Sequence, residues 1–365
     1  MKLLYITNQI CGSGGLERVL SIKASYLAEQ LGYEVHIITL NQGNKKLFYD
    51  FSDKLIYHDI EISGNYVSSF LQYLRGLKKK VKTINPDVIS VCDDGLKGFY
   101  VPYFLGTKTP IIYERHASKN IIKTSDNASF LQKLKLKLIF SLMHIGARKY
   151  DAFVVLTNYN LSEWDLDNLK VIPNPLSFKA QKISSLKNKK VISVGSHHFQ
   201  KGFDRLLKSW KNVLEKHDDW ILEIYGRADT NIYQEMAYEL GIENSVRFHP
   251  PIKNIQEKYA EASVYAMSSR SEGFGMVLIE AMAHGVPCIS FDCPCGPKDI
   301  ITHEKDGFLI PNGDIEAFSR TLIELIEDQS LRELMGKEAV KKSEHYVPES
   351  VVPNWDVLFR SLITK

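Results

Sequence analysis

Val171-Ile172-Pro173-Asn174-Pro175 closes one run of alternating strands and helices, and Val191-Ile192-Ser193-Val194 begins another. The two prolines remove two backbone donors and fix two φ angles, so neither a helix nor a central strand can pass through 173–175. The polar, lysine-rich stretch 179–190 follows and reads as the connection between two domains. Upstream, short apolar runs rich in β-branched residues stand at 3–7, 35–40, 55–60, 88–92, 111–113, 153–156 and 170–172, separated by amphipathic stretches. Downstream the pattern starts afresh at 191–194, 220–225, 246–249, 264–267, 288–291 and 308–310. Such alternation is that of βαβ units and parallel sheets. The expectation is an α/β chain of two doubly wound domains, residues 1–175 and 176–345, facing each other across a cleft. The segment 346–365 is expected to be helical and to return to the first domain. In open α/β sheets ligands bind outside the C-terminal strand edges, so both domains should present their sites there.

Composition agrees with a soluble globular protein. Of the 365 residues, 44% are hydrophobic and 24% charged, which excludes a disordered chain. No window approaches the roughly 18 apolar residues that span a bilayer. The opening MKLLYITNQI turns polar too early for a signal peptide and reads as a first strand, so the expected location is the cytoplasm. Five scattered cysteines do not make a disulfide framework, and Cys293-Pro294-Cys295 has no second pair at zinc-ligand spacing. Over residues 1–172 there are 22 Lys and Arg against 16 Asp and Glu; over 173–365 there are 24 against 27. The basic half is the first, which suits an anionic partner there: a phosphorylated acceptor or an anionic membrane surface. No basic stripe with interleaved aromatics argues for nucleic acid.

Two glycine-rich turns carry the chemistry. Gly12-Ser13-Gly14-Gly15 follows the first strand and opens a helix, a place where free backbone N–H groups favour a phosphate. Arg18 and Asn41 stand where a dinucleotide fingerprint would need a third glycine and an acidic residue, so NAD is disfavoured. The second turn is Glu272-Gly273-Phe274-Gly275-Met276-Val277-Leu278-Ile279-Glu280-Ala281-Met282-Ala283-His284-Gly285-Val286-Pro287. A strand at 264–267, a polar loop, glycines and a helix over 276–284 make a seat for a diphosphate. Two carboxylates flank it: Glu272 can accept from a sugar hydroxyl, and Glu280, about a turn into the helix, from ribose hydroxyls.

This Glu-x7-Glu segment resembles that of glycosyltransferase family 4, the retaining GT-B transferases built from two Rossmann-like domains. The likeness runs over the whole chain: the Gly14-Gly15 turn, Val171-Ile172-Pro173-Asn174-Pro175, Val194-Gly195 with Lys201-Gly202-Phe203-Asp204, Ile224-Tyr225-Gly226-Arg227, Gly285-Val286-Pro287-Cys288-Ile289, and Asp306-Gly307-Phe308-Leu309-Ile310. The resemblance implies that Lys201 holds the donor diphosphate and Glu280 the ribose. It implies that the backbone of Phe274, Gly275, Met276 and Val277 covers the distal phosphate and sugar, and that Glu272 binds the transferred hexose. The Arg227 turn and Ile252 would border the base. His116, in Tyr113-Glu114-Arg115-His116 at the end of a strand, matches the family's active-site histidine beside the reacting carbon. One departure stands out: where the family commonly has an arginine after the glycine matching Gly195, this chain has Ser196-His197-His198, and either histidine is a candidate substitute.

The function implied is hexosyl transfer from a nucleotide sugar, UDP-linked, to a saccharide or polyprenyl-diphosphate-linked acceptor with retention. No cofactor and no metal is expected. Asp165-Leu166-Asp167 has the spacing of a metal-binding pair, but lies before the domain connection, far from the nucleotide loops, and is expected to cap a turn. Positive charge for the diphosphate would come from Lys201, Arg227 and helix N-termini. Residues 130–150 form a basic amphipathic segment, read either as a packed helix with a wet lysine face or as a contact for anionic lipid, with Lys78-Lys79-Lys80 adding to it. Two other functions fit the same fold: a nucleotide-sugar epimerase and a non-catalytic nucleotide-sugar binder.

Overall fold

The computed structural model describes residues 1–119, 129–228 and 230–364. It divides into two compact units, Met1–Ser177 with Pro348–Lys365, and Phe178–Val347. The first runs β1 (Lys2–Thr7), α1 (Gly15–Glu29), β2 (Glu34–Leu40), β3 (Ile56–Ile60), α2 (Tyr66–Ile84), β4 (Val88–Cys92), α3 (Leu96–Phe99), α4 (Val101–Leu105), β5 (Ile111–Glu114), α5 (Phe130–Ala147), β6 (Ala152–Val155) and β7 (Leu169–Val171). The second runs β8 (Lys190–Val194), α6 (Phe203–Leu214), β9 (Ile221–Tyr225), α7 (Ile232–Glu239), β10 (Val246–His249), α8 (Ile255–Glu261), β11 (Val264–Met267), α9 (Met276–Ala283), β12 (Cys288–Phe291), α10 (Pro297–Ile300), β13 (Gly307–Ile310), α11 (Ile315–Glu327) and α12 (Gln329–Ser343). A last helix, α13 (Pro348–Ile363), rejoins the first unit and packs along α1.

Both sheets are parallel, in the orders β3-β2-β1-β4-β5-β6-β7 and β10-β9-β8-β11-β12-β13. Each strand read from the sequence is present within a residue at either end. Strands covered on both faces need continuous apolar runs, and β1, β4, β8 and β11 supply them. In the first unit α1 and α13 cover one face, with Trp355 and Phe359 buried against Tyr5 and Val35. On the other face α2, α4 and α5 bury Tyr73, Leu77, Val101, Met143 and Ala147. Local signals set the helix ends. Asn65 caps α2 through Ser68 N–H, and Ser129 and Gln132 close a capping box on α5. In the second unit α6, α7 and α11 enclose Trp210, whose indole N–H donates to Ser245 Oγ at 3.1 Å.

The strand order reverses between β1 and β4 in one sheet and between β8 and β11 in the other, so the loops after these strands open the ligand-binding crevices. The lysine-rich stretch read as a domain connection is instead packed on the second unit. Ser184 N–H donates to the His284 carbonyl and Ser184 Oγ to the Ala262 carbonyl, and Leu186 is buried. Its alternating lysines hide these two anchoring positions, which only the surface beneath them reveals.

Candidate functional site

In the second unit the loops after β8 and β11 are stitched together. Ser268 Oγ donates to the Lys201 carbonyl at 2.9 Å, Arg270 N–H to the Gln200 carbonyl at 2.7 Å, and Gln200 Nε2 to the Ser271 carbonyl at 2.9 Å. The Arg270 guanidinium clasps Asp204 through two bonds of 2.8 and 2.7 Å and lies 3.7 Å over the Phe199 ring. Gly202 makes this seam possible. It has φ of 65°, and a Cβ there would stand 2.1 Å from the Ser268 carbonyl oxygen.

The seam delivers Lys201 to Glu272. The ammonium donates to both carboxylate oxygens at 2.8 and 3.0 Å, and Ser269 Oγ adds a bond of 2.5 Å to Oε1. Glu272 is buried, and its own N–H is anchored on the Pro294 carbonyl. Beyond it the chain turns at Gly275, φ 97°, and α9 begins at Met276 with its first backbone N–H groups free of helical partners. Phe274 is buried against Tyr346, which leaves its ring turned into the core, whereas Met276 and Val277 are half-buried.

Glu280 lies deeper than the sequence implied. It has no exposed surface and accepts a bond of 3.1 Å from the Tyr259 hydroxyl of α8. Tyr259 in turn stacks on His284, whose Nδ1 lies 2.7 Å from the Lys182 carbonyl. The Tyr265 hydroxyl of β11 is fully buried; burial first, with Cys288, Glu272 and Glu280 adding to it, raises its pKa well above the ordinary value. Tyr259 and Tyr265 read as plain core aromatics in sequence, and nothing local distinguishes them. Arg227 is exposed in the turn after β9, and Ile252 is half-buried after β10. Lys201, Glu272, Phe274 to Val277, Arg227 and Ile252 thus follow the C-terminal ends of four neighbouring strands, β10, β9, β8 and β11.

The two histidines do not form a cationic clamp together. His197 is packed edge-on among Phe203, Tyr233 and Phe248, and neither ring nitrogen bonds to any described residue. Burial, with His198 beside it, lowers its pKa, so it is neutral at pH 7. His198 is exposed in the same loop.

The first unit presents Gly14, Gly15 and His116 on the same edge of its own sheet, after β1 and β5. The glycine turn already holds an anion. A Cβ at Gly12 or Gly14 would come within 2.4 and 2.6 Å of the Glu17 carboxylate, which folds back over the turn. His116 Nε2 lies 3.3 Å from Glu114 Oε2, off the line of a good hydrogen bond, and the His116 backbone N–H donates to Asp94 at 3.3 Å. Glu114 also accepts from Ser90 at 2.5 Å and from the ammonium of Lys23, a residue with 1% exposure. Lys23 is further sandwiched between Tyr5 and Trp355, 5.1 and 3.8 Å from the ring centres. Burial pushes the Glu114 pKa up, but Lys23 and His116 outweigh it and hold it at about 2. Sequence reasoning passed over Lys23, although its spacing from Leu20, Ala24 and Leu27 puts it on the buried stripe of α1, where a lysine needs a counter-charge.

Among the described residues, Cys92, Glu114 and His116 bring potential ligand atoms within 4.8 Å of one another. The donor set does not suit a divalent ion. The Lys23 ammonium already neutralises Glu114, and burial raises the Cys92 thiol well above its ordinary pKa. Asp165 and Asp167 are exposed before β7 and belong to no such cluster.

Residues 177–342 match the family model of group 1 glycosyl transferases, and residues 13–178 match that of glycosyltransferase family 4. The amylovoran biosynthesis glycosyltransferase AmsD of Erwinia amylovora is 30% identical over 97% of this chain and 98% of its own. The lipopolysaccharide 1,6-galactosyltransferase of Salmonella typhimurium is 25% identical over 98% and 96%. The crystal structure of HepE from Anabaena, in complex with UDP and glucose, superposes with a TM-score of 0.81 at 16% identity, covering 99% of this chain and all of that one. The two parallel-sheet units, their glycine-turn sites and these matches together make the chain a group 1, family 4 glycosyltransferase with the GT-B fold.

Proposed function

We propose that this enzyme transfers a hexose or N-acetylhexosamine from a UDP-linked sugar to a saccharide or lipid-linked saccharide, with retention, in the cytoplasmic assembly of a bacterial surface polysaccharide. The observation that carries the reading is the Lys201–Glu272 pair at the mouth of the α9 turn. A diphosphate arriving there offers Lys201 a stronger anion and meets the first N–H groups of α9. Glu272, released from the ammonium, then accepts hydroxyl bonds from the sugar. In the reaction the anomeric C–O bond breaks with its electrons passing to the diphosphate. The acceptor oxygen bonds to the same face of the sugar, and its proton goes to the departing phosphate oxygen. The protein's part is positioning and charge stabilisation, with no divalent ion required. The bacterial surface-polysaccharide setting is supported by the relatives above, an amylovoran biosynthesis glycosyltransferase and a lipopolysaccharide 1,6-galactosyltransferase. The cytoplasmic location is supported by five cysteines that are all free. A panel of nucleotide sugars, screened by calorimetry and then by donor hydrolysis with and without excess EDTA, tests the reading. Binding of UDP-sugars and EDTA-resistant turnover are expected. Abolition by EDTA with rescue by manganese overturns the metal-free mechanism, and failure to bind any UDP compound overturns the donor.

A further inference from the structure

The core of the first unit holds a charge pair that the fold does not need. Lys23 of α1 and Glu114 at the end of β5 are each 1% exposed, and the ammonium donates to Glu114 Oε2 between the rings of Tyr5 and Trp355. Other close pairs, such as Lys190 with Glu223 and Arg270 with Asp204, keep at least one partner near solvent. A buried ion pair has to repay the desolvation of both charges, and two apolar side chains of similar volume usually serve a core as well. Stability alone gives no reason for these two residues.

Their place in the sheet does. Residues two apart on extended backbone share a face, which brings His116 Nε2 to 3.3 Å from the same Oε2 that accepts from Lys23. Ser90 Oγ of β4 holds the other oxygen, Oε1, at 2.5 Å. The carboxylate is thus fixed from α1 and from β4, and the imidazole rests against it at the strand end. The His116 backbone is fixed separately, its N–H donating at 3.3 Å to Asp94 Oδ1, which also takes the Arg115 guanidinium at 2.9 Å. The His116 side chain is 9% exposed, and neither ring nitrogen makes a hydrogen bond to a described residue. A buried imidazole without a bond of its own is placed to receive one from a ligand.

We propose that Lys23 and Glu114 are positioning residues for the transfer reaction: Lys23 anchors Glu114, and Glu114 fixes the His116 ring at the strand edge where a ligand meets it. The inference rests on the transferase reading and on His116 as its histidine in the first unit. Lys23→Met with Glu114→Gln removes both charges at nearly constant shape, and urea unfolding should show a folded protein. Its UDP affinity should equal that of the wild type, since the donor loops belong to the second unit. With the UDP-sugar that turns over, kcat should fall about ten- to a hundredfold while donor KM changes by less than about twofold, the result of a misplaced group rather than a lost binding contact. Wild-type kcat in the folded double variant overturns the inference, and so does full turnover by His116→Ala. A second measurement needs no substrate. In Glu114→Gln, whose amide oxygen can still accept from Lys23, the His116 ring signal, assigned by its loss in His116→Ala, should titrate at lower pH than in the wild type, because a carboxylate in contact favours the charged imidazole. Lys23, Cys92, Asp94 and Arg115, the other ionisable groups around this ring, are unchanged in that variant. An unmoved titration overturns the inference even if no UDP-sugar turns over, a result that by itself would sink only the donor reading.

Discussion

Lys201 and Glu272 neutralise one another in the ligand-free enzyme, the ammonium bridging both carboxylate oxygens across a sequence separation of 71 residues. On the proposed reading, a donor diphosphate has to replace this internal anion before Lys201 can hold it. Glu272→Gln should leave UDP affinity intact or modestly raised, because Lys201 is set free, while turnover of the intact donor falls. Lys201→Met should weaken UDP by about 1.5–3 kcal/mol, the usual worth of a hydrogen bond to a charged group. Calorimetry of the two variants checks this, and equal loss of UDP affinity in both would show the roles to be divided wrongly.

Glu280 is fully buried and tied to Tyr259, so its removal has to be separated from damage to the fold. Glu280→Gln keeps the shape and should weaken UDP by about 1.5–3 kcal/mol if the carboxylate accepts from ribose. Tyr259→Phe should leave UDP binding near wild type. Unchanged UDP affinity in a folded Glu280→Gln protein refutes the ribose assignment.

The Lys23–Glu114 pair predicts acid sensitivity. The folded Glu114 pKa of about 2 lies below its ordinary 4.5, so the carboxylate contributes stability that is present above pH 4.5 and lost as pH falls toward 2. The contribution is on the order of 3 kcal/mol. Lys23→Met alone strands a buried carboxylate and should cost about 3–5 kcal/mol. Adding Glu114→Gln should recover much of that loss and flatten the pH dependence. Urea unfolding at pH 7 and pH 3.5 measures all three.

His197 sits in an aromatic box and is neutral. His197→Phe should fold at least as well as the wild type and bind UDP with the same affinity. A large loss of UDP affinity without a change in melting temperature would restore it as a ligand for the diphosphate.

Much of the architecture was legible because hydrophobic periodicity is a local property. The continuous apolar runs of β1, β4, β8 and β11 and the glycine turns at 12–15 and 272–275 are written in adjacent residues, and the Pro173-Asn174-Pro175 interruption separates the two series of strands. The loops of the candidate site were legible for the same reason, since a strand, a glycine turn and a helix follow one another directly. Pairings between distant residues were not. Lys23 meets Glu114 over 91 positions because the sheet order brings β5 to within one strand, β4, of β1, and it meets Trp355 because the last helix rejoins the first unit. His197 reads as one of two equivalent histidines until its neighbour is seen to be exposed and its own ring enclosed. The sequence by itself determined the elements, their order and the loops that carry the candidate site. Only the tertiary structure decided which charge faces which, because a side chain's partner and its burial depend on strand order and helix packing between segments far apart in the chain.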